Sequence, residues 1–132
     1  RDPIVNGFIL MTDDTDTILR KFKRAVTDSD GVVRAGEDKP GVTNLMNIYA
    51  SLTGKTHAEI EAEFDGKGYG VFKEAVAQCV IDEFRPIQAE YERILADREY
   101  LDGVLKDGAA AASRMADRMV AKVYKKIGLV QL

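Results

Sequence analysis

One cysteine, one histidine and three prolines are all that 132 residues hold of the types that most often build disulfides, metal sites and chain breaks. Cys79, alone, closes no internal disulfide and makes no cysteine metal site, so a reducing cytoplasm is the expected setting. His57, alone, has no second imidazole for a metal and no partner pair for nucleophilic chemistry, so neither a metal nor a catalytic residue is expected. No apolar run approaches a bilayer span, and no N-terminal stretch has the order of a signal peptide, which removes a membrane role. Positive charge is not in excess either: the formal net charge is -3. Indiscriminate nucleic-acid binding is thereby disfavoured, although a local basic face remains compatible with it, because distribution matters more than the total. An initiating methionine is also missing. The chain opens Arg1-Asp2-Pro3 and reads as a piece of something longer.

Hydrophobic residues at 45% and charged residues at 31% describe an ordinary globular chain, and its length is one domain's worth, so a single compact unit is expected. Phe8-Ile9-Leu10-Met11 reads as a short extended run, a strand whose sheet the rest of the sequence does not supply. From Asp14 the pattern turns helical, with Asp13, Asp14 or Thr15 able to cap. Ile18, Phe22, Ala25 and Val26 share one face, and Arg20, Lys21, Lys23 and Arg24 take the rest. Thr27-Asp28-Ser29-Asp30-Gly31 breaks that helix. Lys39-Pro40-Gly41 opens the next, which carries Val42, Leu45, Ile48, Tyr49 and Leu52 inward and stops at Gly54. Thr56 and Glu59 match a capping box for a short helix over about His57 to Phe64. Next comes the longest periodic stretch, Phe72, Val76, Cys79, Val80, Ile87, Tyr91, Ile94 and Leu95, which Pro86 is expected to kink rather than end. Asp97 caps a short helix through Leu105, and Gly108 separates it from a last helix, Ala109 to Ile127, terminated at Gly128. The pattern predicts an all-α fold, a helical bundle with one orphan strand.

DGKGYGVFKEA, from Asp65 to Ala75, has the look of a phosphate-cradling loop. A Walker loop needs a preceding strand, four residues before its Gly-Lys pair and a Ser or Thr after the lysine, and all three conditions fail here. The dinucleotide fingerprint fails on spacing and strand alike. The bland reading is a tight corner between two helices in which glycine permits positive φ. Glu59, Glu61, Glu63 and Asp65 spread round their helix as a solvated surface, and Cys79 falls on the apolar stripe as plain core. Arg114, Arg118, Lys122 and Lys126 recur every four residues beside the apolar row Met115, Met119, Val123 and Ile127. That basic row is either a wet face or a phosphate-facing strip.

AVTDSDGVVR (Ala25–Arg34), KPGVTNLMNIY (Lys39–Tyr49), GKGYGVFK (Gly66–Lys73) and RPIQ (Arg85–Gln88) together resemble the C-terminal half of bacterial tryptophanyl-tRNA synthetases, in the family's order and separations. Asp2-Pro3 resemble the junction after that family's KMSKS loop, with Arg1 standing where the family has serine. The resemblance implies that residues 1–13 are the edge of a catalytic domain of Rossmann type lying upstream, and that residues 14–132 are the helical domain receiving the tRNA anticodon region. It implies a parent ligase that charges tRNA with tryptophan using ATP and magnesium, as a cytoplasmic homodimer. No ATP-binding, catalytic or metal residue of the family falls in this chain, which alone is expected to be inactive. The candidate tRNA-binding residues are Lys23, Arg24, Lys67, Tyr69, Arg114, Arg118, Lys122 and Lys126, with Lys67 and an exposed Tyr69 facing RNA from the glycine corner. Two other readings stand beside this one: a structural helical module for oligomerisation or scaffolding, and a stand-alone phosphate-binding enzyme acting through GKGYG.

Overall fold

Short oxygen-bearing side chains start the helices where the sequence places them. In the computed structural model, which describes residues 7–129, Asp14 accepts the Thr17 N–H at 2.7 Å and opens α1 (Thr15–Arg24). Pro40 sits in the first turn of α2 (Pro40–Thr53), which Gly54 ends. Thr56 and Glu59 form the full capping box of α3 (His57–Glu63). Asp97 caps α5 (Arg98–Ile127) through the Tyr100 N–H, and Gly128 terminates it. Between them runs α4 (Gly68–Ala96), with Pro86 inside and helix continuing on both sides. The described residues form five helices and no strand.

Three expectations about the elements and their grouping need correction. The Phe8–Met11 strand is absent: the segment is irregular and enters a turn at Met11, and Asp13 and Gln88 bond its backbone where a ladder would have done so. Gly108 does not divide the last helix. Flanked by four alanines and lying inside good helix formers, it costs only about 1 kcal/mol against alanine, too little to break the helix. Finally, the chain forms two units instead of one, Arg1–Ala89 and Glu90–Leu132, divided within α4.

The first unit has a dry core. Ile18 of α1, Val42 and Met46 of α2, Ile60 of α3, and Phe72 and Val76 of α4 are its largest fully buried side chains. Tyr49, Phe64 and Phe72 meet edge to face, with ring centroids 5.0 to 6.3 Å apart. Each such pair contributes roughly 0.5–1.5 kcal/mol beyond area burial. Val26, expected on the inner face of α1, lies past its end and is 85% exposed. Lys21, expected outside, is only 6% exposed. The second unit comprises the last turns of α4 and all of α5. No residue of α5 is buried, so Tyr100, Leu105, Met115, Met119 and Ile127 stay exposed. Ile87, Tyr91 and Leu95, the far end of the α4 stripe, are exposed as well.

Candidate nucleic-acid interface

Gly66 and Gly68 take φ of +69° and +71°, conformations that side chains with a Cβ rarely adopt, and with them the chain turns from α3 into α4. The Lys67 N–H closes this corner on Phe64 O at 3.1 Å, and the Lys67 ammonium lies 5.6 Å from the Phe64 ring centroid. A helix precedes the glycines where a nucleotide loop has a strand. The corner instead sets Tyr69 and Lys73 one turn apart on α4, where they grip the loop after α1. Lys73 Nζ donates to Ala25 O at 2.8 Å and to Thr27 Oγ1 at 3.0 Å, covering the carbonyl end of α1.

Tyr69 reaches further into the same loop. Its hydroxyl stands 2.6 Å from Asp28 Oδ1, 2.8 Å from Asp30 Oδ1 and 3.0 Å from Val32 O, and accepts from Lys39 Nζ at 2.9 Å. Lys39, 3% exposed, has Asp30, Asp28 Oδ1 at 3.3 Å and Val32 O at 3.1 Å around it besides Tyr69, four acceptors sharing its three N–H donors. Three separate strings of the sequence thus converge on one buried ammonium. Gly41 completes the arrangement by its lack of a side chain: a Cβ there would stand 2.2 Å from Val26 O.

Electrostatics follow from this geometry. Burial opposes the charge on Lys39, but hydrogen bonds to Asp30, Tyr69 and Asp28 outweigh it and hold the ammonium above its ordinary range. The Lys39 ammonium, with the Val32 N–H and Tyr69, holds the Asp30 carboxyl well below the usual carboxylate range. Burial and the Asp28 carboxylate push the Tyr69 phenol up to about 12. Tyr69 is therefore half-buried and committed to the loop, which corrects the expectation of an exposed ring. Neither the Lys39 nor the Lys73 contacts are visible in the sequence, since nothing local marks residues whose partners lie up to 48 positions away.

The remaining candidates are all exposed. Lys23 and Arg24 lie in the last turn of α1, with Lys23 4.0 Å from Glu74. Arg114, Arg118, Lys122 and Lys126 run along α5 in the second unit, and none of the four has an ion-pair partner among the described residues. From Ala109 to Ile127 there are five cations against one carboxylate, Asp117. An open groove of about 560 Å³ in the first unit, walled by Phe8, Phe22, Leu45, Ile48 and Phe84, was not anticipated. It is mainly apolar, and its one cation, Lys21, is paired with Asp13, so it has no free charge for a phosphate.

Chemically, the four basic side chains of α5 offer phosphate contacts without base reading. Among the described residues, no three His, Cys, Asp or Glu side chains are placed to hold a metal ion, and no helix is long and apolar enough to cross a membrane.

Comparison with known proteins agrees with the four strings. The tryptophan-tRNA ligase of Clostridium tetani is 46% identical over 125 residues, covering 95% of this chain and 37% of the relative. That of Oceanobacillus iheyensis is 48% identical over 124 residues, covering 93% and 38%. The crystal structure of tryptophanyl-tRNA synthetase from Mycoplasma pneumoniae superposes with a TM-score of 0.65 at 29% identity, over 95% of this chain and 38% of that one. The chain thus spans less than two-fifths of the length of these relatives. Residues 5–85 match the tRNA synthetases of class I (W and Y), and with more than half its length inside that match, the chain belongs to this family.

Proposed function

We propose that this chain is the tRNA-facing helical part of a tryptophan-tRNA ligase. In this reading residues 14–132 receive the anticodon region, and residues 1–13 continue from a catalytic part of Rossmann type and its KMSKS loop. The whole enzyme, a cytoplasmic homodimer, charges tRNA with tryptophan. The observation that carries it is the reach of the likeness. The match shared by W and Y synthetases ends at residue 85, whereas identity to tryptophan-tRNA ligases extends over 125 residues and so takes in most of α5 with its basic row.

ATP and magnesium supply the activation chemistry of that reaction, but the residues here do not fit them. A helix precedes the glycine corner where a nucleotide loop has a strand, the Tyr69 hydroxyl is spent on Asp28, and no metal cluster exists among the described residues. No step of the activation is therefore assigned to this chain. Its own part is positional: Arg114, Arg118, Lys122 and Lys126, with Lys23, Arg24 and Lys67 in the first unit, meet phosphates. Tyr69, Lys39 and Lys73 act indirectly, by keeping the loop 25–32 in one shape.

The test exchanges this chain for the corresponding segment of the Clostridium tetani enzyme and compares the chimera with its Arg118→Ala/Lys122→Ala form. The chimera charges tryptophan tRNA. In the double variant tRNA affinity falls, and the slope of its logarithm against log salt shrinks by roughly one counterion per lost cation, while tryptophan-dependent pyrophosphate exchange is unchanged. An unaltered affinity and slope would return the row to a solvated face. A second reading, an oligomerisation or scaffold helix, is favoured by the exposed Met115, Met119 and Ile127. It predicts association of this chain that strengthens with salt and is indifferent to RNA.

A further inference from the structure

Residues 7–13 have no regular structure of their own, yet their backbone is fastened at both faces. The Asp13 N–H donates to Leu10 O at 3.0 Å, and Asp13 Oδ2 accepts the Leu10 N–H at 2.9 Å. The same oxygen accepts from Lys21 Nζ, whose ammonium lies 5.3 Å from the Phe8 ring centroid. Two further carbonyls of this segment, those of Met11 and Asp13, are both taken by one side chain 75 or more positions away. Gln88 of α4 donates through Nε2 to Met11 O at 2.8 Å and to Asp13 O at 2.9 Å. A carbonyl oxygen only accepts, so the amide nitrogen faces the pair and both its hydrogens are used. Carboxamide is the one side-chain chemistry that puts two neutral donors on a single planar nitrogen at this reach. Lysine would bring a charge, and glutamate would bring acceptors to acceptors.

From this fork we infer that Gln88 is a positioning residue. It ties the segment leading into α1 to the middle of α4, so that residues 7–13 act as a stiff coupler and not as a flexible linker. A displacement of whatever lies before residue 7 is then carried to α4. On the proposed function, on which this last step rests, Gln88 sets how the tRNA-facing helices follow the catalytic part. The fastening itself is a property of this chain alone.

Amide hydrogen exchange in the 132-residue protein decides the fastening. Gln88→Leu keeps bulk and removes both donors, and the amides of Leu10 and Asp13 then exchange on the order of tenfold faster. The amides of Ile60 and Phe72, in the core, keep their rates. Gln88→Glu behaves like the leucine form at neutral pH and regains one donor as its carboxyl protonates, at or above about pH 4.3. Asp13, Asp14 and Lys21 are ionisable groups close to the fork. Burial opposes charge on Asp13, but bonds from Lys21 and the Leu10 N–H hold its carboxyl below its ordinary range, so it protonates at lower pH than the introduced glutamate. Relative to the core amides, protection of Leu10 and Asp13 therefore rises with acid in the glutamate form only. Equal exchange in all three proteins overturns the fastening. In the chimera, Gln88→Leu lowers charging severalfold with tRNA affinity unchanged, and unaltered charging overturns the coupling. A parent chimera that charges no tRNA removes the proposed function and the coupling with it, while exchange alone still judges the fork.

Discussion

Replacing Gly41 by alanine tests the loop-holding cluster at its tightest point. The second residue of α2 faces the backbone of Val26, where a new Cβ would lie 2.2 Å from the carbonyl oxygen, 3.2 Å from the carbonyl carbon and 3.8 Å from Thr27 Cα. Ordinary contact needs roughly 1 Å more than the first of these distances, and the obstacle is backbone, which cannot rotate away. Either α2 or the loop must move by that amount. Lys39, two residues before Gly41, holds the same loop through Asp28 at 3.3 Å and Val32 O at 3.1 Å, so such a shift breaks hydrogen bonds as well as packing. Overpacking of this kind costs about 1–3 kcal/mol. The gain in helix propensity from glycine to alanine returns less than about 1 kcal/mol near a helix start. The expected net loss is about 1–2 kcal/mol, which lowers the urea midpoint by on the order of 1 M at an unchanged m-value. Gly70→Ala is the control: it lies inside α4 with nothing within 4 Å of the added carbon, and its φ is not positive. That substitution stabilises by roughly 0.5–1 kcal/mol. Urea titrations followed by NMR signals of Val42 and Phe72 report on the first unit specifically. A Gly41→Ala protein as stable as the Gly70→Ala protein would refute the close approach and, with it, the account of why the loop is held.

Gly68→Ala, at φ +71°, loses about 1 kcal/mol or more in the same titration; calorimetric binding of ATP that Lys67→Ala abolishes would contradict the helix-corner reading. On the alkaline side, Tyr69 titrates near 12 in the folded chain against about 10 unfolded. Its contribution to stability is full below about pH 10 and is lost as pH rises towards 12. Lys39, also raised, acts in the same direction. Ultraviolet difference titration shows a late phenol that Tyr69→Phe removes, and its persistence in that variant would sink the assignment. On the acid side, Asp13 and Asp30 are both depressed, so their stabilisation is present above about pH 4 and lost as pH falls below it. A urea midpoint that rises on acidification through that window would contradict both.

Helix boundaries were readable because capping is local. Asp14, the Thr56 and Glu59 pair, Gly54, Asp97 and Gly128 each act within four residues, and the structure has them in those roles. What escaped was everything set by residues distant in sequence. Lys21 follows the charged face of α1, yet Asp13 and Phe8 bury it. Lys39 reads only as the opening of α2 until Tyr69, 30 positions on, supplies its fourth partner. Phe8–Met11 has a strand's composition, but its Met11 carbonyl is met by Gln88 and its Leu10 backbone by Asp13, not by a neighbouring strand. Gly108 has the identity of a breaker without the positive φ that makes glycine one. The basic row on α5 was fully legible, because a four-residue spacing fixes one helix face whatever surrounds it.

A 30-residue helix without a buried residue has a calorimetric consequence. Helices normally owe their sharp melting to the apolar face they bury, and α5 buries none, so its ellipticity depends on alanine content and length. On heating the 132-residue chain, α5 loses ellipticity gradually, residue by residue from its ends, with little heat-capacity change. The first unit melts in one cooperative step. Circular dichroism and differential scanning calorimetry then report different midpoints for one protein, the optical curve beginning to fall while the heat absorption is still flat. Any partner that covers Met115, Met119 and Ile127 would bring the two curves together, whatever its identity, and the thermogram would register that before any assay of function did.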